Sequence, residues 1–146
     1  MKQKLIIGNL EVCDLPELGI KDLQVRIDTG AKTSSLHVDN IVRLKVDGKP
    51  HVEFDLHPDL YDLSEVVRCR VPVSDTRRIK SSNGDTEQRS VIRTRFKLGD
   101  HEWPIEITLS NRKEMTYLML LGREAMADKV LVDPSATFLA GEQSSQ

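Results

Sequence analysis

The stretch "QVRIDTGAKTSSLHV", Gln24 to Val38, decides how this chain is read. Val25 and Ile27 alternate with Gln24 and Arg26, which is the two-residue period of a half-buried strand. The strand runs into Asp28-Thr29-Gly30-Ala31 and leaves as a second extended run, Lys32 to Val38. Asp-Thr-Gly is an ordinary turn sequence, because aspartate caps its own backbone and glycine accepts conformations closed to other residues. It is also a way to hold a carboxylate in a fixed place at the end of a strand.

Further strands are legible on both sides. Leu5 to Ile7 has strand character, and "CDLPELGIKD" reads as a loop punctuated by Pro16 and Gly19. In "NIVRLKVDGKPHVEFDL", Val42, Leu44 and Val46 alternate outward to Asp47-Gly48, and Val52, Phe54 and Leu56 alternate on the return, the pattern of a β-hairpin. Glu65 to Val73 reads as a strand whose Pro72 belongs at an edge or an end. Polar Ser74 to Ser90, with Asn83-Gly84 near its middle, reads as a long exposed hairpin with a mobile tip. Trp103, Ile105, Ile107 and Leu109 mark another strand. An apolar run then ends at Gly122, a short helix is expected from about Arg123 to Lys129, and a last strand follows. Many short strands with one short helix predict a mostly-β barrel or sandwich.

With 146 residues and 38% hydrophobic content the chain suits a single domain, with a core over about residues 6–139 and a polar tail at 140–146. The net charge of -2 gives no general basic excess for nucleic acid. No segment approaches the roughly 20 apolar residues of a membrane helix. Cys13 and Cys69 lack CxxC spacing and the start lacks a signal-peptide pattern, so a reduced, cytoplasmic protein is expected.

Two elements belong together: an apolar strand ending in "VRIDTGA" and, about ninety residues later, "LMLLGREAM". The pairing resembles the retropepsin-like aspartic peptidases. With "DLPELGI", "ITLSNRKEM" and "VLVDPSATF", the match is to the bacterial branch labelled ATP-dependent zinc protease. The resemblance implies a closed β-barrel of the acid-protease fold with one short helix after Leu-Leu-Gly-Arg. It also implies an aspartic endopeptidase, active as a homodimer, in which Asp28 of each chain activates water. By the same resemblance Thr29 would bond across the twofold, Gly30 would allow close approach, and Ala31, Leu121, Gly122 and Arg123 would support the loop.

Peptide hydrolysis by aspartates needs two carboxylates sharing one proton, one to activate water and one to protonate the carbonyl oxygen. A chain with one Asp-Thr-Gly obtains the second by symmetric pairing. The alternative is a catalytically inactive dimeric peptide-binding module of the same fold. Its motive is Arg123, which lacks the acidic partner that follows Ala in retroviral relatives, since Lys32 and Thr33 stand there. Asp14, Asp22, Glu124 and Asp133 are the candidate substitutes.

The family label suggests zinc and ATP, yet the sequence supports neither cofactor. It has no HExxH, its histidines (37, 51, 57 and 101) lack ligand spacing, and it has no phosphate loop. From Arg68 to Lys97 nine cations face three carboxylates. A solvated hairpin face accounts for them in the plainest way. The sharper reading makes Arg77, Arg78, Lys80 and Arg89 a substrate-binding flap for acidic, glutamate-rich peptide tails, because relatives resemble proteins associated with glutamate-ligating enzymes. Few aromatic residues and no reader motif argue against nucleic acid.

Overall fold

The computed structural model describes residues 3–59, 64–80, 84–111 and 117–144. The tip of the expected polar hairpin, at 81–83, lies outside them. The chain is mostly β. Strand β1 (Leu5–Ile7) is followed by β2 (Leu10–Leu15), β3 (Ile20–Ile27), β4 (Ser34–His37), β5 (Asp39–Val46) and β6 (Lys49–Leu56). Next come β7 (Val67–Pro72), β8 (Asp75–Lys80), β9 (Thr86–Leu98), β10 (His101–Ser110) and β11 (Met119–Leu121). Helix α1 (Arg123–Met126), strand β12 (Val130–Val132) and helix α2 (Leu139–Ser144) complete it.

Six strands close a barrel in the order β10-β4-β11-β3-β2-β9, with β9 pairing back onto β10 from Val91↔Thr108 to Leu98↔His101. Closure leaves no open edge in the barrel wall. Alternation fills it: Leu23, Val25 and Ile27 of β3, Ile92, Phe96 and Leu98 of β9, and Ile105, Ile107 and Leu109 of β10 are buried. Phe96 and Trp103 are register partners whose rings meet edge to face at 5.2 Å. Each such side chain contributes about 1.5–3 kcal/mol on leaving water.

A three-stranded antiparallel sheet, β5-β6-β7, stands beside the barrel. Its hairpin turns at Asp47 and Gly48, with φ of 53° and 77°, the left-handed pair that matches strand twist. Val52, Phe54 and Leu56 bury one face, and Pro72 ends the edge strand β7. Beyond the barrel, β8 pairs only with the first part of β9, from Lys80↔Thr86 to Asp75↔Val91. Because β9 joins β10 only from Val91 onward, this hairpin projects past the wall.

Two segments differ from the sequence reading. "CDLPELGIKD" is not an open loop: β2 and β3 run through it and are joined by a single 3-10 turn at Pro16–Leu18. Pro16 starts that turn, where its missing N–H costs nothing, and Leu15, Leu18 and Ile20 are buried. The expected polar tail carries a second helix. Glu11, 1% exposed, accepts hydrogen bonds from Gly8 N (2.7 Å), Leu139 N (2.9 Å) and Ala140 N (3.1 Å), so one carboxylate holds the start of α2 against β2.

Candidate active site

The Asp-Thr-Gly loop is suspended between two strands. β3 and β11 run parallel with Leu121 opposite Ile27, and the Asp28 N–H continues the ladder to Leu121 O at 2.9 Å. Asp28 Oδ1 accepts the Gly30 N–H at 3.0 Å and Asp28 O accepts the Ala31 N–H at 3.2 Å, which closes the turn on the carboxylate's own backbone. Asp28 is half-buried, while Thr29 and Gly30 are exposed at the tip. Among the described residues no other side chain bonds Asp28.

The second motif braces the first. Arg123 N donates to Ala31 O (2.8 Å) and Glu124 N to Lys32 O (3.2 Å). The Arg123 guanidinium reaches Gly30 O at 3.2 Å. None of the four expected carboxylates holds Arg123: Asp14 accepts the Asp22 N–H, Asp133 holds Ser135, and Glu124 faces Lys32 at 3.7 Å. Gly122 is required by space: a Cβ there would meet Thr33 C at 2.5 Å and Thr33 O at 2.7 Å. Its N–H donates to the buried Ser34 Oγ at 3.0 Å, and Ser34 O accepts from Thr108 Oγ1 at 3.1 Å. Ser34 thus ties β4, β10 and the support loop together. The sequence reading passed over it as one residue of an extended run.

The cations of the polar hairpin are less free than their number suggests. Arg77 bonds Asp75 (3.1 Å) on its own strand and Glu106 (3.2 Å) on the barrel. The Thr76 N–H and the Arg77 guanidinium hold the Asp75 carboxyl below its ordinary range, and Asp75 and Glu106 raise Arg77. Arg89 is buried against Glu87 at 3.3 Å. Arg78 and Lys80 are exposed. Among the described residues no hydrogen bond or ion pair joins any of these four to Asp28 or its loop.

Burial raises both the Cys13 and the Cys69 thiols above their ordinary range, and both cysteines are free. Among the described residues no group of three or more His, Cys, Asp or Glu side chains is placed to hold a metal ion. No helix of the described residues is long and apolar enough to cross a membrane.

A closed barrel with an Asp-Thr-Gly loop hung between parallel strands and backed by Gly-Arg and a short helix defines the retropepsin-like class. The chain belongs to the RimB-like family, described as retropepsin-like aspartic endopeptidase RimB, whose model matches residues 6–143. It is 50% identical over 141 residues to a protein of Shewanella halifaxensis named "Probable alpha-L-glutamate ligase", and 50% identical over 143 residues to one of the same name from Desulfotalea psychrophila. Those alignments cover 97% and 98% of this chain but 31% of each relative, so the chain spans about a third of their length. Among solved structures, Lpg0085 of Legionella pneumophila, described as of unknown function, superposes with a TM-score of 0.80 at 30% identity. The match covers 94% of this chain and 99% of that one.

Proposed function

We propose that the chain is an aspartic endopeptidase that works as a homodimer, with Asp28 contributed by each copy. The observation that carries this reading is the Asp28 loop: its tip is exposed at Thr29 and Gly30, and its carboxylate is held from below by backbone alone. A twofold passing beside the tip would bring the same loop of a second copy face to face with it.

Two carboxylates so placed share one proton. The ionised one takes a proton from water as the oxygen attacks the peptide carbonyl, and the protonated one donates to the carbonyl oxygen. Collapse of the tetrahedral species passes a proton to the departing amine and restores the dyad. The Arg123–Gly30 and Gly122–Ser34 bonds keep the loop in place through these steps, which supports an active site over an inactive module.

For substrate we propose an acidic, glutamate-rich peptide tail. Support comes from the relatives, whose name is that of a glutamate ligase and which contain a stretch matching nearly all of this chain. The exposed Arg78 and Lys80 on the projecting hairpin suit the same charge. We place the reaction in the cytoplasm, where buried free thiols stay reduced.

The test pairs a mass measurement in solution with hydrolysis of glutamate-rich and neutral peptides by the parent and by Asp28→Asn. A dimer that cleaves the acidic peptide and loses turnover on Asp28→Asn supports the reading. A monomer, or cleavage indifferent to that substitution, overturns it.

A further inference from the structure

Arg26 is the last exposed residue of β3 and stands two residues before Asp28, which follows directly on the strand. Alternate residues of a strand share a face and lie about 6.6 Å apart. Burial shows which face this is: Leu23, Val25 and Ile27 point into the barrel, whereas Gln24 and Arg26 are exposed and Asp28 is half-buried. By that alternation a guanidinium stands one side-chain position before the Asp28 carboxylate.

The arginine is held without being neutralised. Its guanidinium carbon lies 5.2 Å from the centroid of the Tyr117 ring, within the range of a cation–π contact. Tyr117 lies just before β11, whose Leu120 is the register partner of Arg26, so the ring and the arginine are fixed by the same pair of strands. Arg68, Arg70, Arg77, Arg89 and Arg95 each have a carboxylate within ion-pair distance. Among the described residues Arg26 has none. A contact with a ring uses up none of the carboxylate-pairing capacity of the guanidinium, whose planar fork of N–H donors matches a carboxylate.

We propose that Arg26 is the specificity-determining residue of this site, its N–H edge taking the side-chain carboxylate of a glutamate next to the bond that Asp28 attacks. The inference rests on the aspartic-peptidase reading and names what that site selects. The spacing agrees, because an extended peptide repeats its side chains on one face at the same interval as β3. In a twofold dimer one Arg26 flanks each side of the dyad, so glutamates are read on both sides of the scissile bond. Tyr117 is the positioning residue, acting through the arginine.

The experiment measures binding of fluorescent octaglutamate and octaglutamine peptides to Asp28→Asn protein, alone and combined with Arg26→Gln, Arg26→Lys or Tyr117→Leu. Arg26→Gln is expected to weaken octaglutamate about tenfold to a hundredfold, the size of a lost charge-assisted hydrogen bond. Octaglutamine binding should stay level, lysine should restore part of the loss, and Tyr117→Leu should fall between. Melting curves check that each variant folds. A parent with no preference for octaglutamate, or a preference that survives Arg26→Gln, overturns the proposal. The readout is binding to a turnover-dead protein, so a failed glutamate preference is distinguishable from a failed peptidase reading, which only the hydrolysis experiment decides.

Discussion

The Arg123 guanidinium donates to the carbonyl of Gly30 at 3.2 Å, joining the two halves of the site across 93 residues of sequence. An arginine here does the work of a backbone clamp: it holds the loop that carries Asp28 without needing an acid beside it. Both residues are exposed, so the bond matters more for where the loop sits than for how stable the barrel is.

Arg123→Ala should therefore separate activity from folding. The expected loss of stability is about 0.5–1.5 kcal/mol, the net worth of one such hydrogen bond. Turnover should fall by at least tenfold because the carboxylate is no longer fixed. Urea melts and peptide kinetics on the same preparation check this, and a variant that keeps full turnover argues against the clamp.

Gly122→Ala is the steric counterpart. The added methyl meets the Thr33 carbonyl at distances no real contact shows, so β11 or the loop after Asp28 must move. A loss of about 1–3 kcal/mol, typical of overpacking, is expected together with loss of turnover. An unchanged urea midpoint would count against this packing.

Glu11→Ala tests the anchor of α2. Removing the carboxylate leaves Gly8, Leu139 and Ala140 N–H groups without their acceptor. A loss on the order of 3 kcal/mol is expected if water cannot replace it. Hydrogen exchange should show the amides of Leu139 and Ala140 losing protection first. Uniform loss across the barrel would instead mean that the helix and barrel open together.

The projecting hairpin should loosen in acid. The folded Asp75 pKa is depressed, so the stabilisation it gives is present above the unfolded value near 3.9 and is lost as pH falls through the folded value. Below that point the carboxyl is protonated and its bonds to Thr76 N and Arg77 weaken. An NMR titration of the Asp75 carboxyl and of the β8 amides follows the change, and Asp75→Asn should abolish the pH dependence.

Much of this fold is legible because alternation and turn chemistry agree. Val52, Phe54 and Leu56 announce β6, Asp47-Gly48 announces the turn before it, and Asp28 ends a strand whose buried face reads Leu-Val-Ile. The acceptor of Arg123 is hidden for a physical reason: a backbone carbonyl is offered by every residue and leaves no mark in composition. Helix α2 is hidden because its cap is Glu11, a charge that reads as a strand's solvent side until three amides are found around it. Arg26 reads in the same way, as the wet side of a strand. Only the neighbouring ring of Tyr117 distinguishes it, and that contact spans the distance from β3 to the start of β11.

As a mechanical part, β9 is a cantilever. Its thirteen residues are clamped by β10 from Val91 to Leu98 and overhang from Thr86 to Ser90 with only β8 alongside. A strut from outside the barrel, Arg43 to Gln88 O at 3.2 Å, meets the overhang near its middle. The root of the beam, Val91 opposite Thr108, lies in the same wall that holds Ser34 through the Thr108 Oγ1 bond, so the arm and the support of the Asp28 loop meet in one strand pair.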